Sequence, residues 1–287
     1  MIEYPQHSQL SDEYIIGKIA DFLAEDLPEG DKTTEGIITE SVTISAEFQT
    51  GDGLVFAGEK ILPYCFGENC QTTLNHNDGD MLSIGDVIGV VMGSAREILS
   101  RERVILNLIQ RLCGIATLTR KYAEIANPFN VKILDTRKTT PGLRVFEKYA
   151  VAVGGGFNHR LNLSDGILIK DNHIIVAGSV TKAIESVRKA GAGLPLEIEV
   201  DNINQIREAL EANVDGFLLD NMNPQTIKES VSLIRASENG NDIFVEASGG
   251  ITLENIRPYL ETGIDAISIG ALTHQAVSKD IRLNFIT

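Results

Sequence analysis

Apolar and polar residues alternate along Val42–Gln49 (VTISAEFQ), the period-two pattern of a half-buried strand. Gly51–Gly53 marks a turn, the short apolar run Leu54–Ala57 follows it, and Gly85-Asp86 leads into another run, Val87–Met92. Ser94 stands at an N-cap position ahead of a helix predicted over Ala95–Leu112. Within that helix Ile98, Ile105, Leu108, Ile109 and Leu112 fall largely on one face, and Arg101 and Arg103 belong to a more polar part. The chain up to about residue 113 therefore reads as mixed α and β.

The rhythm then changes. Val131–Leu134 and Gly166–Ile169 are short apolar runs, and Thr181–Ala190 is helix-like. Strands are predicted at Leu196–Val200, Gly216–Leu219, Ile243–Val245 and Ala266–Ile269. Between them lie helical stretches at Ile203–Ala212, Gln225–Ala236 and Leu253–Glu261. Strands and helices alternating at roughly 20–30-residue intervals imply parallel strands with helical crossovers. Either an open doubly wound sheet or a closed barrel satisfies this. The glycine fingerprint of a dinucleotide fold is missing, which favours the barrel.

Composition narrows the function classes. At 287 residues the chain accommodates one large domain, or a large one with a smaller one, and 43% hydrophobic with 23% charged residues is an ordinary globular mix. The net charge of −15 speaks against general nucleic-acid binding without excluding a local basic pocket. No apolar run reaches membrane-spanning length, and the start, MIEYPQHSQLSDEY, lacks the basic and apolar regions of a secretory signal. Cys65, Cys70 and Cys113 have no metal-type spacing, so reduced thiols and a cytoplasmic location are expected.

In parallel α/β folds chemistry gathers at the carboxyl ends of strands. Asp135, Thr136, Arg137 and Lys138 follow one apolar run, and Lys170 follows the next. Glu199 interrupts an otherwise apolar strand, and Asp220 follows Leu219. Glu246, Ala247, Ser248, Gly249 and Gly250 follow Val245, and Gly270 follows Ile269. Arg137, Lys138, Arg160 and Lys170 are cations in an acidic protein, and converging cations are costly unless an anion sits among them. Ser248-Gly249-Gly250 before a helix offers backbone N–H groups for phosphate, a seat that Gly270 would complete. Glu199 and Asp220 suit sugar hydroxyls or water-bound Mg²⁺. His159 adjoins Arg160 in the glycine-rich stretch Gly154–Arg160 (GGGFNHR), where ligand binding competes with a structural role; His173 and His274 are weaker candidates.

The motifs are recognisable as a set. LDTRKTTPG (134–142), GGGFNHR (154–160), IKDNHI (169–174), EIEVD (197–201), LLDN (218–221), EASGGI (246–251) and SIGALTH (268–274) resemble the quinolinate phosphoribosyltransferase family, in the family's order. RVILNLIQRLCGIATLT (103–119) also matches, and GDKTT (30–34) does so more weakly. The resemblance implies a type II phosphoribosyltransferase: an open, seven-stranded α/β barrel (114–274) with a mixed α/β N-terminal domain (1–113), on which the tail 275–287 packs back.

It implies an enzyme that transfers phosphoribosyl from phosphoribosyl pyrophosphate to quinolinate with decarboxylation, assisted by Mg²⁺, as a homodimer or a hexamer (trimer of dimers). By resemblance Arg103 reaches a substrate carboxylate from the neighbouring subunit, while Arg137, His159 and Arg160 grip the pyridine dicarboxylate. Lys138 and Lys170 face carboxylate and pyrophosphate oxygens, and Glu199 and Asp220 hold ribose hydroxyls and Mg²⁺. These four are the expected catalytic groups. Thr136, Ser248, Gly249, Gly250, Gly270, Ala271 and Leu272 complete the substrate-binding set. Three rival readings are a sister family found beside molybdate-transport functions, a Schiff-base aldolase using Lys170, and a non-catalytic sensor of a phosphorylated ligand. Asp135 before Thr136 and the full IKDNH favour the quinolinate family over the sister.

Overall fold

The computed structural model describes residues 2–286; Met1 and Thr287, the outer ends of the expected N-terminal domain and tail, lie outside the described residues. In chain order the first strands are β1 (Thr43–Thr50), β2 (Leu54–Val55), β3 (Cys70–Leu74), β4 (Met81–Leu82) and β5 (Val87–Ser94). Then come β6 (Lys132–Leu134), β7 (Ile167–Ile169), β8 (Leu196–Val200), β9 (Gly216–Asp220), β10 (Phe244–Ser248), β11 (Ala266–Ser268) and β12 (Ile281–Ile286). The chain forms two compact units.

One unit comprises His7–Arg120, Val145–Gly155 and the C-terminal segment from Gln275. Its four-stranded sheet has the order β12-β1-β5-β3, antiparallel at each pairing. The C-terminal strand β12 pairs along β1 from Ser45↔Ile286 to Thr50↔Ile281. The helix predicted to stop at Leu112 runs on from Ala95 to Ala126, and the boundary expected after Cys113 falls inside it. Gly114 is kept mid-helix by close packing: a Cβ there would lie 2.3 Å from the Val277 carbonyl oxygen. Half-buried Arg111 on this helix donates to buried Glu147 of helix Arg144–Val153, an ion pair at 2.9 Å. Phe146 on the latter packs against Tyr14 and Phe22 of helix Asp12–Asp26. Neither helix is among the elements named from the sequence, although Ile15, Ile19, Phe22 and Leu23 recur at helical spacing in the first of the two along the chain.

The other unit comprises residues 2–6, Lys121–Arg144 and Gly156–His274. Its sheet has the order β6-β11-β10-β9-β8-β7, parallel throughout. Pairing of the first strand, β6, with the last, β11, gives the strand order of a barrel. Six strands are regular among the described residues. The seventh expected position is Phe157, joined to β6 through a single parallel bridge with Leu134. The sequence shows no seventh apolar run because this position is one residue wide. Helices Val180–Ala190, Ile203–Glu211 and Pro224–Arg235 are capped by Ser179, Asn202 and Asn223, whose side chains accept backbone N–H groups.

The segment 2–6 belongs to this unit. Ile2 joins Leu134, Phe244 and Ala266 in a buried cluster with Tyr4 packed against it. Gln6 clamps Asn158 from both sides, accepting its N–H at 2.8 Å and donating to its carbonyl at 3.2 Å. Among the described residues no helix is long and apolar enough to cross a membrane. Removing residues 2–6 is expected to lower unfolding stability by about 3 kcal/mol, the worth of burying an isoleucine and most of a tyrosine. Urea titration checks this, and an unchanged midpoint would show the segment to be dispensable.

Candidate active site

The parallel strands end in register, so their following residues meet on one rim. Ser268 pairs with Leu134 and with Ser248, and Ser248 pairs with Asp220. Ile169 pairs with Ile198, which brings Lys170 level with Glu199. Asp135, directly after β6, is buried and anchors the neighbouring loop: it accepts the His159 N–H at 2.9 Å and the Asn158 amide at 2.7 Å. Arg144 braces the same loops, donating to the Thr139 hydroxyl at 2.9 Å and the Leu161 carbonyl at 3.2 Å.

Two guanidinium groups converge on this scaffold. Arg160 is buried and donates to the Gly166 carbonyl at 2.8 Å. Burial first, and then the nearby charge of Arg137, lower its pKa from the usual arginine value. Arg137 is half-buried, and its Nε is shielded from solvent with no hydrogen-bond partner. Guanidinium groups that repel each other and are incompletely hydrogen-bonded are the feature an anion relieves.

Lys138 is exposed and lies along Gly270; a Cβ on that glycine would sit 2.8 Å from the lysine Cδ. The Thr273 hydroxyl donates to the Lys138 carbonyl at 2.7 Å, tying the ends of β6 and β11 together. Thr136 accepts the Lys138 N–H at 3.0 Å. The Lys170 ammonium is paired with the Glu199 carboxylate. Asp220 accepts from the Asn221 amide at 2.6 Å. Arg103 is exposed on helix Ala95–Ala126, in the other unit.

The glycine turn is built as the sequence suggests, but its helix is not. Gly249 has φ +94°, and a Cβ there would lie 2.2 Å from the Asn221 side-chain oxygen, so only glycine fits. The helix predicted over Leu253–Glu261 is reduced to Arg257–Leu260. Asn255 takes the Thr252 N–H at 2.8 Å and donates to the Gly250 carbonyl at 2.9 Å, a local turn that competes with helix. No helix N-terminus therefore stands behind Ser248-Gly249-Gly250, and the turn itself offers the N–H groups. Gly270, Ala271 and Leu272 enter a single helical turn, Ala271–His274, with the Leu272 side chain wholly buried.

His159 is buried, as Arg160 is. Its ring stacks on Tyr4 at 4.6 Å between centroids, and its Nδ1 accepts the Arg160 N–H at 2.8 Å. Its Nε2 lies 3.3 Å from Glu197 and 3.6 Å from Glu246. His173 accepts the Lys170 N–H at 2.9 Å and so caps the helix Asp171–Ala177. Tyr4, Glu197 and Glu246 are missing from the sequence-derived set. Glu197 shares parity with Glu199, two positions along the same strand, which was a usable signal. Glu246 was assigned to a loop because the strand was expected to end at Val245, whereas β10 continues to Ser248.

Residues 31–113 match the family described as quinolinate phosphoribosyl transferase, N-terminal domain, and residues 115–284 match its C-terminal domain. A probable nicotinate-nucleotide pyrophosphorylase [carboxylating] of Bacillus subtilis is 45% identical over 267 residues, covering 92% of this chain and 90% of that protein. The nicotinate-nucleotide pyrophosphorylase [carboxylating] of Mycobacterium leprae is 39% identical over 268 residues, covering 91% and 94%. The solved nicotinate-nucleotide pyrophosphorylase of Francisella tularensis superposes with a TM-score of 0.89 at 33% identity, covering 99% of this chain and 100% of that one. That of Ehrlichia chaffeensis gives 0.89 at 39% identity, covering 97% and 100%.

The Asp135 anchor can be tested directly. Asp135→Ala leaves two buried donors without their acceptor and is expected to cost about 2–4 kcal/mol of stability. Denaturant unfolding of the purified variant measures this, and a loss below about 0.5 kcal/mol, the scatter of neutral surface changes, would refute it.

Proposed function

Because this chain belongs to the quinolinate phosphoribosyltransferase family, we propose that the strand-end rim binds quinolinate together with phosphoribosyl pyrophosphate and joins them with loss of CO2. The product is nicotinate mononucleotide, and the activity is that of a carboxylating nicotinate-nucleotide diphosphorylase, a pentosyltransferase of NAD biosynthesis. The observation that carries the site assignment is the meeting of Arg137 and Arg160, mutually repelling and incompletely hydrogen-bonded, in a chain of net charge −15. A planar dicarboxylate supplies the acceptors that these guanidinium forks lack.

The chemistry needs positioning and charge more than a general base. Arg137, His159 and Arg160 hold the dicarboxylate, and His159 also accepts the backbone N–H of Arg160. Lys138, beside Gly270, and Lys170 face pyrophosphate and carboxylate oxygens. Ser248, Gly249, Gly250 and the backbone of Gly270–Leu272 seat phosphate, with Thr136 completing the loop. As the ribose C1–O bond to pyrophosphate breaks, C1 becomes cationic, and the carboxylates of Glu199 and Asp220 stabilise it. The pyridine nitrogen bonds to C1. The ring nitrogen is then cationic, so the adjacent carboxylate leaves as CO2, and the electron pair left on the ring carbon takes up a proton.

Glu199 and Asp220 offer hard oxygen donors on one rim, the donor class that Mg²⁺ takes, and their chemistry fits the ion. When bound, Mg²⁺ neutralises charge building on pyrophosphate. We assign the protein to a homodimer, alone or as a trimer of dimers, in which the exposed Arg103 completes the partner's site. A cytoplasmic location suits its three free thiols.

The direct test is an assay for nicotinate mononucleotide, pyrophosphate and CO2 in equal amounts from quinolinate, phosphoribosyl pyrophosphate and Mg²⁺. Arg137→Ala and Arg160→Ala are each expected to lower kcat/KM by about 10²-fold or more, since each removes a charge-assisted contact to a dianion. Wild-type rates in either would remove the pocket from this rim. Equal mixing of Arg103→Ala and Lys170→Ala subunits is expected to restore about one quarter of wild-type activity, because half the dimers are mixed and each carries one intact site. No recovery would mean that sites are not shared.

A further inference from the structure

The barrel is open along one seam. Among the described residues β7 pairs with β8 alone, and Phe157, across the seam, is bridged to β6. Asn158, His159 and Arg160 follow Phe157 on one side, and Gly166 leads into β7 on the other.

Segment 2–6 touches both sides. Ile2, Tyr4 and Gln6 make its contacts while Glu3 and Pro5 are exposed, the alternation of an extended chain. Pro5 favours that shape, because its ring disfavours a helical backbone at Tyr4. On the first side, the open seam leaves the buried Asn158 N–H and carbonyl without a strand neighbour, and the Gln6 side chain takes that place. The Gln6 amide also donates to the Tyr4 carbonyl at 2.9 Å, which fixes its orientation toward Asn158.

On the second side, the Tyr4 ring lies against Gly166: a Cβ on that glycine would sit 2.7 Å from Tyr4 Cε1. The Gly166 carbonyl is the one that takes the Arg160 guanidinium. The same ring stacks on the His159 imidazole with 24° between the planes. Asp135 holds this loop from the β6 side, and the segment holds it from the seam.

We propose that segment 2–6 is part of the substrate site: Tyr4 and Gln6 are positioning residues that hold the stretch 158–160, and with it the Arg160 guanidinium, in the geometry that receives the pyridine dicarboxylate. Gln6 fixes the backbone from which Arg160 projects. Tyr4 fixes the carbonyl to which one arm of the guanidinium is tied, and the other N–H groups remain for a carboxylate. Ile2 has a different task, filling the barrel core. The inference rests on the assignment of Arg160 to quinolinate. The contacts of the segment at the seam are with Asn158, His159 and Gly166, so its loss falls on quinolinate rather than on phosphoribosyl pyrophosphate.

The test uses the full-length chain, assayed well below each variant's unfolding midpoint. Gln6→Ala and Tyr4→Leu are each expected to raise the KM for quinolinate about fivefold or more, the loss expected from one hydrogen bond or ring contact. The KM for phosphoribosyl pyrophosphate and kcat should change by less than about twofold. Tyr4→Phe keeps the ring and should keep the wild-type KM. Ser179→Ala, which removes a helix cap elsewhere in the same unit, should keep it too. Without substrate, the backbone amides of 158–160 should exchange hydrogen at least about tenfold faster in Gln6→Ala than in wild type.

Unchanged exchange, equal KM changes for both substrates, or a quinolinate KM within about twofold of wild type in Gln6→Ala and Tyr4→Leu would overturn the positioning role. So would a rise in Ser179→Ala as large as in Gln6→Ala, because the effect would then be one of stability. Impaired Arg160→Ala beside an unimpaired Gln6→Ala sinks this inference alone, whereas wild-type rates in Arg160→Ala sink the assignment on which it rests.

Discussion

Parallel strands that finish in register deliver whatever follows them to the same place. Here that geometry brings Arg137, after β6, close enough to Arg160, after Phe157, for the two charges to oppose one another. The arrangement is held by groups with other work to do. Asp135 fixes the loop that carries Arg160, Arg144 ties that loop to Thr139, and Gly166 accepts one guanidinium arm. The scaffold thus stores an electrostatic mismatch that a dianion resolves, and binding energy becomes available where the chemistry needs a fixed dicarboxylate.

Charge is layered in the same barrel. Glu197 and Glu246 lie in the strand interiors, Glu199 and Asp220 lie nearer the rim, and the cations occupy the loops beyond. Glu199 pairs with one of the cations, Lys170, while His159 stands between the buried carboxylates and the Arg160 backbone.

Much of this was legible in the sequence, for identifiable reasons. The regular strands β8 to β11 are apolar runs flanked by amphipathic helices, and periodicity finds them. The rim residues stand next to those runs, so Lys170, Asp220 and Gly249 were readable once the fold rule was applied. Among the features that escaped, three have identifiable causes. Segment 2–6 is too short for any period, and its role depends on what the barrel leaves unfilled. The Leu253–Glu261 stretch has helical spacing, but the Asn255 side chain outcompetes the backbone there. His159 was read as a ligand contact because it precedes Arg160; that its ring also meets the interior acids Glu197 and Glu246 depends on the strand positions of those acids, which the sequence alone does not reveal.

The central claim is that this rim recognises two carboxylates through paired guanidinium groups, and calorimetric titration tests it most directly. Quinolinate should bind at least about 10²-fold more tightly than nicotinate, which lacks one carboxylate, and the advantage should shrink as salt is raised. Equal affinity for the two pyridines, insensitive to salt, would contradict it.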